Sequence, residues 1–292
     1  MRTETDFSGL WIPLITPLRA GKVDHDALAA LVKRLAPSGI RGFVVCATTG
    51  EAPMLDDAER DAVLGTVTRS TRLPVVMGVS ATTAAEVLRR TQAAAPHRPA
   101  AFLVPAPGYV RPSQAALQAF FTQLADTAPA PLMLYDIPAR TGVRLELDTL
   151  RALARHPRIV ALKDCGGRLD CTEVLIADGE LQVLCGNDAE WFASRCLGSA
   201  GAVAASAHVR TDLFVAFDRA LAGGELNRAR ALWRHLAPLT RALFDEPNPA
   251  PVKALLADAD ECRDEVREPL LPASAALRSR LKELLSALPT SA

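Results

Sequence analysis

Between residues 10 and 208 the chain repeats one pattern, a short apolar run followed by an amphipathic stretch. The runs are Leu10–Leu18, Gly42–Ala47, Leu73–Val79, Ala100–Pro107, Pro131–Ile137, Ile159–Cys165, Leu181–Asn187 and Ala202–His208. Each is continuous rather than alternating, as expected of a parallel strand covered on both faces. The stretches between them carry helix signals. Asp24 precedes an apolar period that runs to about Ala36, with Gly39 as the stop. Asp56 and Glu59 are spaced as a capping box ahead of Val63, Leu64 and Val67. Pro112-Ser113 opens a helix bearing Leu117, Phe120, Phe121 and Leu124.

Eight strand–helix units in about 223 residues match the size and count of an α/β protein of the (β/α)8 TIM-barrel class. The competing doubly wound sheet lacks support, because no G-x-G-x-x-G follows the first strand. Gly223-Gly224 marks the expected boundary, giving a catalytic barrel over 1–223 and a C-terminal helical appendage over 224–292. Helices are expected near 225–242, 249–260 and 273–288.

Composition narrows the function. A chain of 292 residues, 49% hydrophobic, can bury a large core. Its formal net charge is zero, so nothing points to nucleic acid or an acidic membrane surface. No apolar stretch approaches the roughly 18 residues that span a bilayer, and the polar start MRTETDFSGLW has no secretory core. The six cysteines form no C-x-x-C pair, which fits a reducing cytoplasm without zinc or disulfides. Neither a metal nor an organic cofactor is expected.

Lys163 breaks the apolar pattern. Only five of the 33 basic residues are lysines, and this one lies inside the strand-like run Ile159–Cys165. A lysine there is either ion-paired or held as a desolvated, uncharged amine, the form that attacks a carbonyl to make a Schiff base. Barrel chemistry belongs at the carboxyl ends of the strands, where Thr16, Thr48, Thr49, Ser80, Tyr135, Lys163, Asn187 and Ser206 fall. Alternation puts Ile159, Ala161 and Lys163 on one face of the sixth strand, and Met133 and Tyr135 on one face of the fifth. If those faces point inward, amine and phenol meet. Lys253 is the rival Schiff-base candidate, but its polar, proline-rich setting is not expected to lower its pKa.

The segments ATTGE (47–51), PGYVRPSQ (107–114), YDIPARTG (135–142), ALKDCGG (161–167), CGNDA (185–189) and EPNPAPVK (246–253) fall in one order and spacing. On these the chain resembles the dihydrodipicolinate synthase / N-acetylneuraminate lyase family of pyruvate-dependent class I aldolases, nearly end to end. The resemblance implies that Lys163 forms the imine with pyruvate and that Tyr135 shuttles protons. Thr48 would be the middle of a Tyr–Thr–Tyr relay that Tyr109 completes from a neighbouring subunit. A homotetramer built as a dimer of dimers is implied with it. Thr49 and the backbone N–H groups of the Thr48–Gly50 turn would cradle the pyruvate carboxylate. Val203 would turn its carbonyl to the imine, and Gly186 would leave room for substrate. EPNPAPVK reads as a rigid structural loop.

Arg140 carries the substrate inference, since a guanidinium after Tyr-x-x-Pro can grip a second carboxylate. Synthase members are expected to use it on aspartate semialdehyde. The leading expectation is therefore condensation of pyruvate with L-aspartate 4-semialdehyde to 4-hydroxy-tetrahydrodipicolinate. The alternatives are a related aldolase or dehydratase acting on a sugar acid or another aldehyde, and a silent keto-acid-binding barrel. Ala47, Asp136, Asn187, Ala205 and His208 depart from the usual family pattern and leave room for a different acceptor. Asp136 should point away from Tyr135. Gly108, Thr82, Asp57 and Arg60 stand where lysine-inhibited members bind lysine, so feedback by lysine is expected to be weak or absent.

Overall fold

The computed structural model describes residues 6–291. Eight parallel strands close into a barrel: β1 Gly9–Pro13, β2 Gly42–Val45, β3 Val75–Gly78, β4 Ala101–Pro105, β5 Leu132–Asp136, β6 Ile159–Asp164, β7 Gln182–Cys185 and β8 Gly201–Val203. The order around it is β1-β8-β7-β6-β5-β4-β3-β2. The fold is the (β/α)8 barrel that the pattern predicts. The strands are buried along nearly their whole length, which is why they read as continuous apolar runs rather than alternating ones.

The helix signals act as the sequence suggests. Asp24 caps His25–Leu35 by accepting the Ala27 N–H, and Gly39 follows in the left-handed conformation at φ 95°. Asp56 and Glu59 form both halves of the capping box on Asp57–Ser70, and Ser113 caps Gln114–Thr127. Each such cap contributes about 1 kcal/mol. The C-terminal helices are Leu226–Ala242, Ala250–Asp258 and Ala275–Ser286.

Two apolar runs are not strands throughout. The first leaves the barrel at Pro13 and reaches a small hairpin, Leu18–Arg19 with Lys22–Val23. In the last run the strand ends at Val203, and Ser206–His208 is a single 3-10 turn. Ala205, Ala207 and His208 are nonetheless buried. Apolarity there reports burial, and burial does not distinguish a strand from a covered turn.

The described residues form two compact units, one of Gly9–Leu73 with the chain from Ala204 onward, the other of Pro74–Val203 with Asp6–Ser8. In the first, the helices on either side of Gly223-Gly224 are stitched together by Phe217 stacking on Trp233, with centroids 5.0 Å apart. In the second, β5 and β6 carry Tyr135 and Lys163. Their register shifts between Leu132 and Met133, and beyond the shift it is regular, pairing Met133 with Ala161 and Tyr135 with Lys163.

Candidate active site

Lys163 lies one residue from the end of β6 and is 4% exposed. Register partners on parallel strands project to the same side, so Tyr135 stands directly beside it. The Lys163 Nζ lies over the Tyr135 ring, 4.4 Å from its centre. Cys165, two residues on and therefore on the same face, stands beside them, close enough to act on both electrostatically. Burial pushes the Cys165 thiol up to about 12, against the opposing pull of Lys163. The result is an amine, a phenol and a thiol packed together at a strand end.

Gly186 follows β7 and shapes this cluster. A Cβ there would sit 2.5 Å from Cys165 Sγ and 2.8 and 2.9 Å from Lys163 Cγ and Cε. The glycine thus makes room for the lysine stem itself, where the sequence reading gave the space to substrate.

The surroundings of Lys163 act on its pKa in opposite directions. Burial draws its pKa down, but Tyr135, Cys165 and Asp188 pull it up, and the net position is above the ordinary lysine value. Tyr135 and Cys165 exert that pull only as anions, so the direction belongs to the alkaline range and does not set the charge of the amine at neutral pH.

On the other face of these strands Asp136 and Asp164 point away from the amine. Asp136 Oδ1 accepts the Leu145 N–H at 3.1 Å, and Asp164 Oδ1 accepts the Gly166 N–H at 2.8 Å. Burial raises Asp136 to about 6, with the Leu145 N–H opposing and Asp164 adding to the rise.

The remaining expected residues of this unit differ in exposure. Tyr109 is 96% exposed and left-handed at φ 72°. Arg140 is exposed on the short helical turn Pro138–Thr141 that follows β5. The Arg111 side chain lies over Gly142 in that same turn, so a Cβ at Gly142 would meet its Nε at 2.8 Å. Val203 is buried at the end of β8.

In the other unit, the turn after β2 carries Thr48, half-buried, and Thr49, 4% exposed. The Gly50 N–H closes that turn on the Ala47 carbonyl at 3.1 Å. It is thus not a donor in an anion cradle, contrary to the sequence reading. Thr16 Oγ1 donates to the Gly50 carbonyl at 2.7 Å. His208 is fully buried and neutral, its pKa lowered by burial to about 4. Its Nδ1 donates to the Ala205 carbonyl at 2.8 Å, which leaves Nε2 to accept the Ile15 N–H at 3.2 Å.

Lys253 overturns an expectation. It lies on Ala250–Asp258, fully buried, and burial lowers its pKa, with Glu51 opposing. The polar composition of EPNPAPVK concealed this. Its amine is bound to the buried Glu51 carboxylate and to the Glu265 carbonyl.

A model of the dihydrodipicolinate synthetase family matches residues 6–288. The chain belongs to that family. Among its relatives, the 4-hydroxy-tetrahydrodipicolinate synthase of Geobacter metallireducens is 34% identical over 283 residues, 96% of this chain and 98% of that protein. The synthase of Sorangium cellulosum is 36% identical over 290 residues, 97% and 96% of the two chains. The chloride-inhibited dihydrodipicolinate synthase of Acinetobacter baumannii, solved in complex with pyruvate, matches with a TM-score of 0.92 at 31% identity, covering 96% of this chain and 98% of that one.

Within this dihydrodipicolinate synthetase fold, two residues of the site escaped the sequence reading. Cys165 was counted only among six cysteines that form no C-x-x-C pair, although its spacing of two from Lys163 places it on the lysine face. Asn248 was absorbed into a structural loop, yet its Nδ2 donates to Thr49 Oγ1 at 2.9 Å. No local pattern links residues 199 positions apart. Among the described residues no helix is long and apolar enough to cross a membrane, and no group of three or more His, Cys, Asp or Glu is set to hold a metal.

Proposed function

We propose that this chain condenses pyruvate with L-aspartate 4-semialdehyde to 4-hydroxy-tetrahydrodipicolinate, through a Schiff base on Lys163. The observation that carries this reading is the buried amine packed over the ring of a phenol on the register-paired strand. A Schiff-base lysine needs a partner that exchanges its proton, and an ion pair does not provide one. The names of the relatives, 4-hydroxy-tetrahydrodipicolinate synthases over nearly the whole chain, support the substrate pair, as does the pyruvate complex of the Acinetobacter baumannii enzyme.

In this scheme Tyr135 passes its own proton along Thr48 and Tyr109 and receives the one from Lys163. The freed amine adds to the pyruvate carbonyl, and loss of water gives the imine. The protonated imine is the electron sink, so loss of a methyl proton yields an enamine without a metal or organic cofactor. The enamine carbon attacks the aldehyde, whose carboxylate Arg140 holds by a two-pronged contact. Cyclisation follows: the amino group of that substrate displaces Lys163 from the imine carbon and restores the free lysine. Thr49 holds the pyruvate carboxylate, and Val203 lends a carbonyl to the imine. Tyr109, 96% exposed on its own chain, is read as a residue donated to a partner's site in a cytoplasmic homotetramer.

Borohydride reduction with pyruvate tests the chemistry. One reduced adduct per chain is expected by mass spectrometry, on the peptide containing Lys163, and an unmodified chain would leave only a silent binder. Steady-state rates for aspartate semialdehyde against a panel of aldehydes test the acceptor. If Arg140→Ala barely changes kcat/KM for the best aldehyde, that substrate lacks the second carboxylate.

A further inference from the structure

The segment Glu246–Lys253 grips the Thr48–Glu51 turn at two points. Lys253 is bound to Glu51, and five residues earlier Asn248 Nδ2 donates to Thr49 Oγ1 at 2.9 Å. Pro247, Pro249 and Pro251 restrict the backbone between these contacts. The Asn248 amide is therefore held against a hydroxyl that is itself 4% exposed. Its other atom, Oδ1, is buried with no hydrogen-bond partner. Leaving a buried acceptor unpaired is unfavourable, so packing alone does not favour an asparagine here. Its donor does.

A threonine hydroxyl has one proton to donate and two lone pairs to accept with. A donor fixed on the oxygen occupies an acceptor position and turns the single O–H elsewhere. Among the described residues no acceptor takes that proton. We propose that Asn248 is a positioning residue: its N–H holds Thr49 Oγ1 as an acceptor, which leaves the Thr49 O–H to donate to the carboxylate of the bound 2-oxo acid. This rests on the reading that Thr49 holds that carboxylate. Charge-assisted donation to an anion is stronger than donation to a neutral group, so losing the orientation should appear in substrate binding.

Three variants of the full-length chain decide it: Thr49→Val, Asn248→Ala and Asn248→Asp, each with KM for pyruvate, kcat and melting temperature measured from acid to alkaline pH. Asn248→Ala is expected to raise KM about 10-fold, the loss of one hydrogen bond, with kcat within about 2-fold. Asn248→Asp is near-isosteric and keeps the packing, but its carboxylate accepts only and draws the Thr49 proton to itself. Its KM should exceed that of Asn248→Ala at alkaline pH and recover toward wild type as the new carboxyl protonates. A merely structural role gives no such pH-dependent rescue. Adding Asn248→Ala to Thr49→Val should raise KM no further. If Thr49→Val raises KM while neither Asn248 variant does, or if Asn248→Asp shows no recovery, the positioning role is overturned and the Thr49 reading stands. If Thr49→Val leaves KM unchanged, the reading of Thr49 falls and takes this role with it.

Discussion

Lys163 and Lys253 are both sealed from solvent, 4% and 0% exposed, yet they sit among opposite kinds of neighbour. Lys253 is bound to a buried carboxylate, Glu51, which also accepts the Arg267 N–H at 2.7 Å. Lys163 touches a phenol and a thiol. Their pKa directions run against the simple expectation, since the ion-paired Lys253 lies below the ordinary lysine value and Lys163 above it. The direction alone therefore does not select a nucleophile. What separates the two is what remains when the proton leaves. At Lys253 a buried Glu51 anion would be left without its counter-charge, which is strongly unfavourable. At Lys163 the closest partners are neutral at pH 7, and the phenol can exchange its own proton with the amine.

The largest expected effect breaks the comparison outright. Lys163→Ala should abolish the borohydride-trapped adduct and lower kcat/KM by at least about 10⁴-fold, as expected when a covalent nucleophile is removed. Its melting temperature should fall less than that of Lys253→Met, because no bound buried carboxylate is left without its counter-charge. Lys253→Met should do the reverse. It should lose about 3–5 kcal/mol of stability, because Glu51 is left as an uncompensated buried charge, and should still form the Lys163 adduct where folded. Glu51→Gln added to Lys253→Met should recover part of that loss. Denaturant melts and adduct mass on the same samples separate the two lysines. A Lys253→Met protein that folds normally yet cannot be trapped would reverse the assignment.

A smaller effect tests how closely the amine is placed. Gly186→Ala introduces a Cβ 2.8 and 2.9 Å from Lys163 Cγ and Cε. Cys165 Sγ stands closer still, at 2.5 Å, and Cγ is near the base of the lysine, so both side chains must shift: stability should fall by about 1–3 kcal/mol while the amine moves. A displacement of that kind costs about 10²-fold in rate, and kcat/KM beside the melting temperature reads it. Unchanged kinetics would mean that the lysine reaches its substrate by another rotamer.

How much of this was legible in the sequence follows from the range of each cause. The barrel was readable because each strand is buried on both faces, so a long-range property is written locally as an apolar run. Lys163 stood out for the same reason: a charge within such a run is a local anomaly, and alternation then brought Tyr135 beside it. Lys253 was misread because its burial is conferred by Glu51, 202 residues away, and its prolines and polar neighbours gave no hint of it. Asn248 and Gly50 failed similarly. The hydrogen bond of Asn248 bridges distant segments, and the N–H of Gly50 is committed to a turn that only the backbone geometry reveals.

The smallest effect sharpens the contrast between the two faces of β5, with Tyr135 on one and Asp136 on the other. The Asp136 carboxyl is raised from 3.8 to about 6, chiefly by burial. The folded state thus holds this proton more tightly than the unfolded chain between those values. The stability it contributes is present below pH 3.8 and is lost as pH rises through about 6. A shift of that size corresponds to at most about 3 kcal/mol. Arg144 lowers this pKa, while Asp164 and Glu146 raise it. Asp136→Asn keeps an oxygen for the Leu145 N–H and removes the charge. It should flatten stability between pH 4 and 6 and add about 1–3 kcal/mol at pH 7, with kcat/KM unchanged, because Asp136 faces away from the amine. Urea melts across that range measure it. A fall in kcat/KM with no gain in stability would show that the outer carboxylate acts through β5 on the phenol, and the division between a chemical face and a structural face would not stand.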